Sequence, residues 1–275
     1  MSIVTYKTNP EDLSRLLDDL TASDHPVDVN VVDNSPSDEL RSSMATRRFG
    51  YRHSDKNLGF GGGHNLALSR SLGRFKYHLV VNPDISLGRD VIGRLVDFMD
   101  HYPDVGWVMP SIRNADGTDQ RLCKLLPTPA DLIVRRFLGP LGSVLFRRQS
   151  DRYHLKNVDL TVPCEVPCLS GCFMFLRTDV LKQVGVFDDG FFMYMEDVDL
   201  CRRIGRVSRC VYYPFVSVTH GYAKGSYRNL RLLRFHMKSA LRYFAKWGWF
   251  IDDERKRLNQ HAGMPVGLPG DCAAS

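Results

Sequence analysis

The stretch YHLVVNPD, residues 77–84, decides the fold. An apolar, partly β-branched run stops abruptly at Asn82, Pro83 and Asp84, as a buried strand does when it reaches a sheet edge. The same sentence recurs upstream. SIVTY (2–6) reads as a strand, and so does VDVNVVDN (27–34), which ends in Asp33 and Asn34. Between them, PEDLSRLLDDL (10–20) places Leu13, Leu16, Leu17 and Leu20 on one helical face, with Pro10 suited to the first turn. SPSDELRSS (35–43) reads as a capped helix start, GYRHS (50–54) as a weaker strand, and NLGFGGGHNLALSRSL (57–72) as a glycine-rich loop running into a helix. Downstream, Ile92, Leu95, Val96 and Met99 mark another helix, and VGWVMPSI (105–112) another strand. CFMFLRTDVLKQVGVFDDGFF (172–192) gives a strand, a short helix and a turn, and RCVYYPFVSVTH (209–220) a strand ending in His220. Strands alternating with helices predict an α/β protein with a mostly parallel central sheet and flanking helices. Ligands of such sheets sit at the carboxyl ends of the strands, where Tyr6, Asp33, Asn34, Asn82 and Asp84 all fall.

The chain has 275 residues, 43% of them hydrophobic, enough for one large domain with an appendage. Its formal net charge of +6 is unevenly spread, with Arg135, Arg136, Arg147, Arg148 and Arg152 clustered in one segment and many cations over residues 224–257. Such patches can meet anionic lipid, phosphorylated substrates or nucleic acid, or simply face water. No signal peptide is expected at the start, and no apolar stretch reaches the ~18–20 residues that span a bilayer. FLGPLGSVLF (137–146) is too short to span, and residues 113–165 read as irregular. Seven cysteines, an odd number, suit reduced thiols in a cytoplasm. Cys164, Cys168 and Cys172 are spaced by four, but Pro163, Pro167 and Gly171 break any helix that would present them to zinc, so buried small residues are expected.

Several residues can carry chemistry. Asp33 can accept hydrogen bonds from a nucleobase or ribose, or serve the turn DNSP. The four glycines within residues 59–63 permit close backbone approach ahead of a helix N-terminus, or a flexible turn; they match neither the dinucleotide fingerprint nor a Walker loop. Asn82 and Asp84, one residue apart, can present oxygens to one hard cation, Mg²⁺ or Mn²⁺, or form a Pro-Asp turn. His220 can join a metal or a phosphate, or be structural.

Taken in order, SIVTY, VVDNS, NLGFGGGHN, VVNPD, LSGCFMFLR, GVFDDGFFMYMEDVDLCRR and TH resemble the family 2 glycosyltransferases of the GT-A fold, most closely a rhamnosyltransferase-like branch, over about residues 2–250. The resemblance implies a Rossmann-like GT-A domain over 1–222; from their own composition, residues 223–260 read as a C-terminal helical, basic-aromatic segment and residues 261–275 as a disordered tail. It implies that Thr5, Tyr6 and Asp33 hold the nucleoside of a sugar nucleotide, and that Asn57, Gly59 and Asn82 line the donor pocket. Asp84 and His220 would hold Mg²⁺ or Mn²⁺; the family's Asp-x-Asp motif has Asn82 at its first position here, which leaves Asp84 as the principal ligand. Asp197 would be the general base, with Glu196 second. The activity implied is inverting transfer of a sugar, with dTDP-L-rhamnose the leading donor, onto a saccharide acceptor carried on a polyprenyl lipid, in cell-surface polysaccharide synthesis. A UDP-sugar donor (galactose or N-acetylglucosamine) and a non-catalytic nucleotide-sugar-binding protein are the alternatives; nucleic acid does not fit the acidic cluster.

In FFMYMEDVDLCRR (191–203), acids at a helix start are favourable in their own right. Successive helical residues point about 100° apart, so Glu196 and Asp199 share a face and Asp197 points elsewhere. Arg202 and Arg203 are expected on an exposed helix or at a phosphate. The basic residues Arg228, Arg231 and Arg234 beside YFAKWGWF (243–250) suit either a peripheral contact with the inner face of the cytoplasmic membrane or a packed C-terminal helix.

Overall fold

The computed structural model describes residues 1–132, 147–221 and 230–267. FLGPLGSVLF, Arg135, Arg136 and Arg228 lie outside the described residues. The described chain forms a nine-stranded sheet in the order β3-β2-β1-β4-β8-β6-β9-β5, with β7 pairing on β9. The strands are β1 (Ser2–Thr5), β2 (Asn30–Asp33), β3 (Gly50–His53), β4 (Tyr77–Val81), β5 (Ile85–Leu87), β6 (Val105–Arg113), β7 (Cys164–Glu165), β8 (Phe173–Arg177) and β9 (Arg209–His220). β1 is parallel to β2 and β4, β2 to β3, and β6 to β9. β8 runs against β4 and β6, and β5 and β7 run against β9. Six strands thus share one direction, as the alternating pattern predicts.

The helices are α1 (Pro10–Thr21), α2 (Arg41–Ala45), α3 (Gly59–Ser71), α4 (Val91–His101), α5 (Arg147–Tyr153), α6 (Thr178–Val184), α7 (Glu196–Ile204), α8 (Leu230–Trp247) and α9 (Asp253–Gln260). The leucines of α1 are buried, and Asn9 caps it by accepting from the Glu11 amide. Residues 35–40 do not start a helix as expected. α2 begins only at Arg41, because Asp38 is drawn to the Tyr51 hydroxyl at 2.5 Å instead of capping.

The glycines of α3 lie inside the helix rather than in a loop before it. Gly59 sits at φ +75°, and a Cβ there would collide with the Phe192 carbonyl; a Cβ on Gly61 would come within 2.8 Å of Phe187, and one on Gly63 within 2.8 Å of Val4. The absence of side chains lets α3 press against β1 and against the loop leading into α7.

The chain turns away from β3 and returns on the other side of β1 as β4, so the switch in strand order lies beside β1. The carboxyl ends of β1, β2 and β4 therefore open on one crevice. β5, a three-residue strand with no local signal of its own, reverses onto β9 with Ile85 opposite His220.

Behind α7 the C-terminal segment packs as part of the same body. Phe191, Met195 and Val198 form one buried cluster with Tyr243 and Phe244 of α8 and Leu258 of α9. Arg202 and Arg203 are not surface decoration. Arg202 is 2% exposed, reaches both oxygens of the equally buried Asp252 at 2.7 and 2.5 Å, and lies over the Trp247 ring at 4.4 Å. Arg203 bonds Asp199 and the carbonyls of Val184, Gly185 and Val186. Each guanidinium closes a gap between elements distant in sequence, which no local pattern announces. The expected disorder from residue 261 also fails for residues 261–267. The Gly263 amide donates to the Glu165 carbonyl, Glu165 donates to Met264, and Val266 donates to Pro163 and is buried. Backbone pairing with β7 orders a segment whose composition alone reads as loose. Among the described residues no helix is long and apolar enough to cross a membrane.

Candidate active site

At the end of β1, buried Thr5 donates to Asp33 Oδ1 at 3.0 Å. The same oxygen accepts from the Ser35 amide, and Oδ2 accepts from the Tyr51 hydroxyl. Asp33 is fully enclosed, so a ligand would reach its carboxylate only by displacing Tyr51 or Ser35. Tyr6, next along, is 41% exposed. Asn57 accepts from the Gly59 amide at 2.8 Å, and the Phe60 amide donates to Phe192. Two amides at the start of α3 are thus already satisfied by protein. The adjoining Asn34 donates to the Gly59 carbonyl and leaves its own Oδ1 buried without a partner among the described residues.

At the end of β4, the Asn82 amide donates to the Cys172 carbonyl at 2.9 Å. Asp84, part-exposed, places Oδ1 3.3 Å from Nε2 of His220. The short β5 makes this encounter, since its pairing with β9 sets Asp84 beside the end of β9; the Gly221 amide donates to the Asp84 carbonyl. Burial pushes the Asp84 carboxyl up, but the His220 contact outweighs it and holds the group below the usual range.

Gln120, which sequence inspection passed over, orients His220. Its amide Nε2 donates to the His220 carbonyl at 3.1 Å, which turns its Oε1 toward His220 Nδ1, also at 3.1 Å. Nδ1 is therefore the donor nitrogen, and Nε2 faces a carboxylate oxygen. Only a proton or a cation between these two atoms makes that approach favourable. Among the described residues no three His, Cys, Asp or Glu side chains are grouped as a metal cage. The donor set here is one carboxylate and one imidazole, with Asn82 two residues before Asp84 in the chain. That set fits Mg²⁺ or Mn²⁺, which complete their octahedra with water and substrate phosphate. Cys164, Cys168 and Cys172 are buried thiols, and they belong to no group of three His, Cys, Asp or Glu that could hold a metal among the described residues.

The acidic cluster opens α7. Tyr194 and Met195 both adopt φ +67°, a costly left-handed pair of non-glycine residues that swings the backbone into the helix. Asp199 is fully buried, held by Arg203, by Lys246 at 2.7 Å and by Trp247 Nε1 at 2.8 Å, and ties α7 to α8. Glu196 is 6% exposed with Oε2 unpartnered among the described residues. Asp197 is half-buried; Oδ2 accepts from the Gly171 amide at 3.1 Å and Oδ1 from the Val198 amide at 2.9 Å. Residues 171 and 172 thus join the two halves of the site, one touching Asp197 and the next touching Asn82.

Burial raises the Asp197 carboxyl, opposed by the charge of Lys124 and by its amide donors. Glu196 is pushed up further by burial and by the charge of Asp197. The pair divides labour, with Glu196 favouring its neutral form while Asp197 takes the charge. Lys124, a second residue the sequence did not single out, reaches this region because residues 124 and 168 form an isolated antiparallel bridge.

Known proteins resemble this chain in sequence and in fold. The family model described as Glycosyl transferase family 2 matches residues 2–185. The N-acetylglucosaminyl-diphospho-decaprenol L-rhamnosyltransferase of Mycobacterium tuberculosis (strain H37Rv) is 30% identical over 266 residues, spanning 90% of this chain and 84% of the relative. The rhamnosyltransferase WbbL of Escherichia coli K12 is 25% identical over 254 residues, spanning 89% and 92%. Among solved structures, the mannosyltransferase PcManGT of Pyrobaculum calidifontis, in complex with GDP-Man and Mn²⁺, superposes with a TM-score of 0.61 at 17% identity, covering 94% of this chain and 67% of that one.

Proposed function

The chain belongs to glycosyl transferase family 2 and is a glycosyltransferase, and from that premise we propose that it performs metal-dependent, inverting transfer of L-rhamnose from dTDP-L-rhamnose to a polyprenyl-linked saccharide at the inner face of the cytoplasmic membrane. The observation that carries the mechanism is the adjacency of Gly171, whose amide donates to Asp197, and Cys172, whose carbonyl accepts from the Asn82 amide two residues before the Asp84–His220 pair. The choice of sugar and acceptor is supported by the names of the rhamnosyltransferase relatives.

In this account Tyr6 and Thr5 flank the nucleoside, with Asp33 fixing the pocket wall and Asn57 and Gly59 shaping its side. Asp84 and His220, aided by Asn82, hold the divalent ion. When bound, that ion offsets the charge on the leaving diphosphate. Asp197 accepts the proton of the acceptor hydroxyl as its oxygen bonds to the anomeric carbon. The bond from that carbon to the diphosphate oxygen breaks, and the electron pair leaves with the nucleoside diphosphate. Glu196 stays protonated beside the base and limits the negative charge the site must bury. The strands and helices up to β9 supply the donor crevice and the base, and α8 and α9 brace α7 from behind.

A thermal-shift panel tests the donor assignment. Ligand at about 100 times its Kd adds ~2.7 kcal/mol to stability. Stabilisation by dTDP-L-rhamnose with Mn²⁺ or Mg²⁺, lost with chelator and weaker for UDP-galactose and UDP-N-acetylglucosamine, is the expected result. Stabilisation by a UDP-sugar alone reassigns the donor, and a metal-independent shift removes Asp84 and His220 from their role.

A further inference from the structure

One surface serves neither the core nor the crevice. α8 ends at Gly248, which turns the chain at φ +104°, and the segment to α9 displays Phe250 at 82% and Ile251 at 85% exposure. Beside them Leu241 is 52% and Trp249 38% exposed. This corner is firmly anchored. The Trp249 ring packs on Phe244, buried Arg255 donates to the Phe250 carbonyl, and Asp252, the next residue after Ile251, is the buried partner of Arg202. An apolar tip on an anchored turn contributes nothing to folding and costs solubility.

The flanking charge identifies what meets it. α8 contains no acidic residue. Arg234, Lys238, Leu241 and Ala245 follow one another at helical spacing along its exposed face, cations first and apolar residues toward the tip. Arg242 and Lys246, by contrast, are turned to Asp188, whose carboxyl is held down to about 2 against its burial by those two cations and by the Gly190 amide. Cations leading to exposed Trp, Phe and Ile are the signature of a helix that lies in a bilayer interface, apolar groups entering the acyl region and cations meeting anionic headgroups.

We propose that Leu241, Trp249, Phe250 and Ile251, with Arg234 and Lys238, form a docking surface for an anionic lipid bilayer. The proposal rests on this surface alone and does not require the acceptor to be lipid-linked. It predicts that the full chain sediments with phosphatidylglycerol-containing vesicles, less with pure phosphatidylcholine, and less at high salt. The double variant Phe250→Ser/Ile251→Ser weakens partitioning by at least about tenfold, and Arg234→Gln/Lys238→Gln removes the preference for anionic lipid. Both variants keep the melting temperature and the nucleoside diphosphate release of the unaltered chain with a water-soluble acceptor. The proposal is overturned if the unaltered chain stays in the supernatant, if the serine variant sediments equally well, or if light scattering shows the tip joining two copies with no vesicle binding. An unaltered chain that turns over but binds no vesicles would discard the docking surface and leave the transfer reaction standing.

Discussion

Replacing Asp197 with Asn isolates the proposed base. The carboxylate accepts two backbone amides, from Gly171 at 3.1 Å and Val198 at 2.9 Å. Asn has one carbonyl oxygen and an NH₂ that donates, so one of those amides loses its acceptor. An unsatisfied buried donor costs about 1–3 kcal/mol. Against this, burial already disfavours the charged form of Asp197, and the neutral amide escapes that penalty. The net loss therefore sits near ~1 kcal/mol, a fall of about 2–4 °C in melting temperature for a domain of this size. Catalysis suffers far more. General-base assistance supplies about 10²–10⁴-fold, or ~2.7–5.4 kcal/mol of barrier at 1.36 kcal/mol per tenfold. Steady-state release of nucleoside diphosphate at saturating donor and acceptor reads the rate, and calorimetry with the nucleotide sugar reads binding. The expected variant is folded, binds donor with little change, and turns over at least about a hundredfold more slowly. A rate within about threefold of the unaltered enzyme would refute Asp197 as the base, and loss of donor affinity together with the melt would show that it holds up the fold instead.

Three further outcomes can be checked separately. The charge of Lys124 opposes the burial that raises Asp197, whose other titratable neighbour, Glu196, is held neutral by burial; Lys124→Gln should therefore raise the base further, moving the acid limb of kcat/KM to higher pH while sparing the plateau, and an unmoved limb removes Lys124 from this role. Gly59→Ala meets both the positive φ and the Phe192 carbonyl, and should cost about 2–4 kcal/mol in urea unfolding, whereas a neutral result would mean the loop before α7 yields freely. His64 is buried on Ser2 and depressed by burial from 6.5 to about 3. Its folded value lies below its unfolded one, so its stabilisation is complete above pH 6.5 and is lost as pH falls; at pH 5 the loss is about 2 kcal/mol. Buried His78 adds in the same direction, and urea midpoints at pH 7 and 5 should show the difference, reduced in His64→Gln.

How much of this was legible in the chain varies residue by residue. Strand ends were readable because an apolar run that stops at a polar pair is a local signal, and Asp33, Asn82 and Asp84 all stand at such stops. The helix start at Glu196 was readable for the same reason; of its three acids, Asp199 is held by Arg203, Lys246 and Trp247, while Asp197 accepts the Gly171 and Val198 amides. What escaped depended on partners far along the chain. β5 is three residues long and has meaning only opposite β9, yet it sets Asp84 beside His220. Gln120 lies in an irregular polar stretch, and its two bonds to His220 span 100 positions. Lys124 looked like any surface cation until the bridge to Cys168 brought it near Asp197. The glycines of α3 signalled a close backbone approach but not what approaches: at Gly59 and Gly61 it is Phe192 and Phe187, more than a hundred residues away in sequence.

The most direct test of the account is the anomeric configuration of the product, read by NMR from the enzyme, the nucleotide sugar and a saccharide acceptor. A single displacement assisted by Asp197 predicts a glycosidic bond of the configuration opposite to that of the donor. A product that retains the donor's configuration would contradict it, because retention requires a different chemical path in which Asp197 is not the base for the attacking hydroxyl.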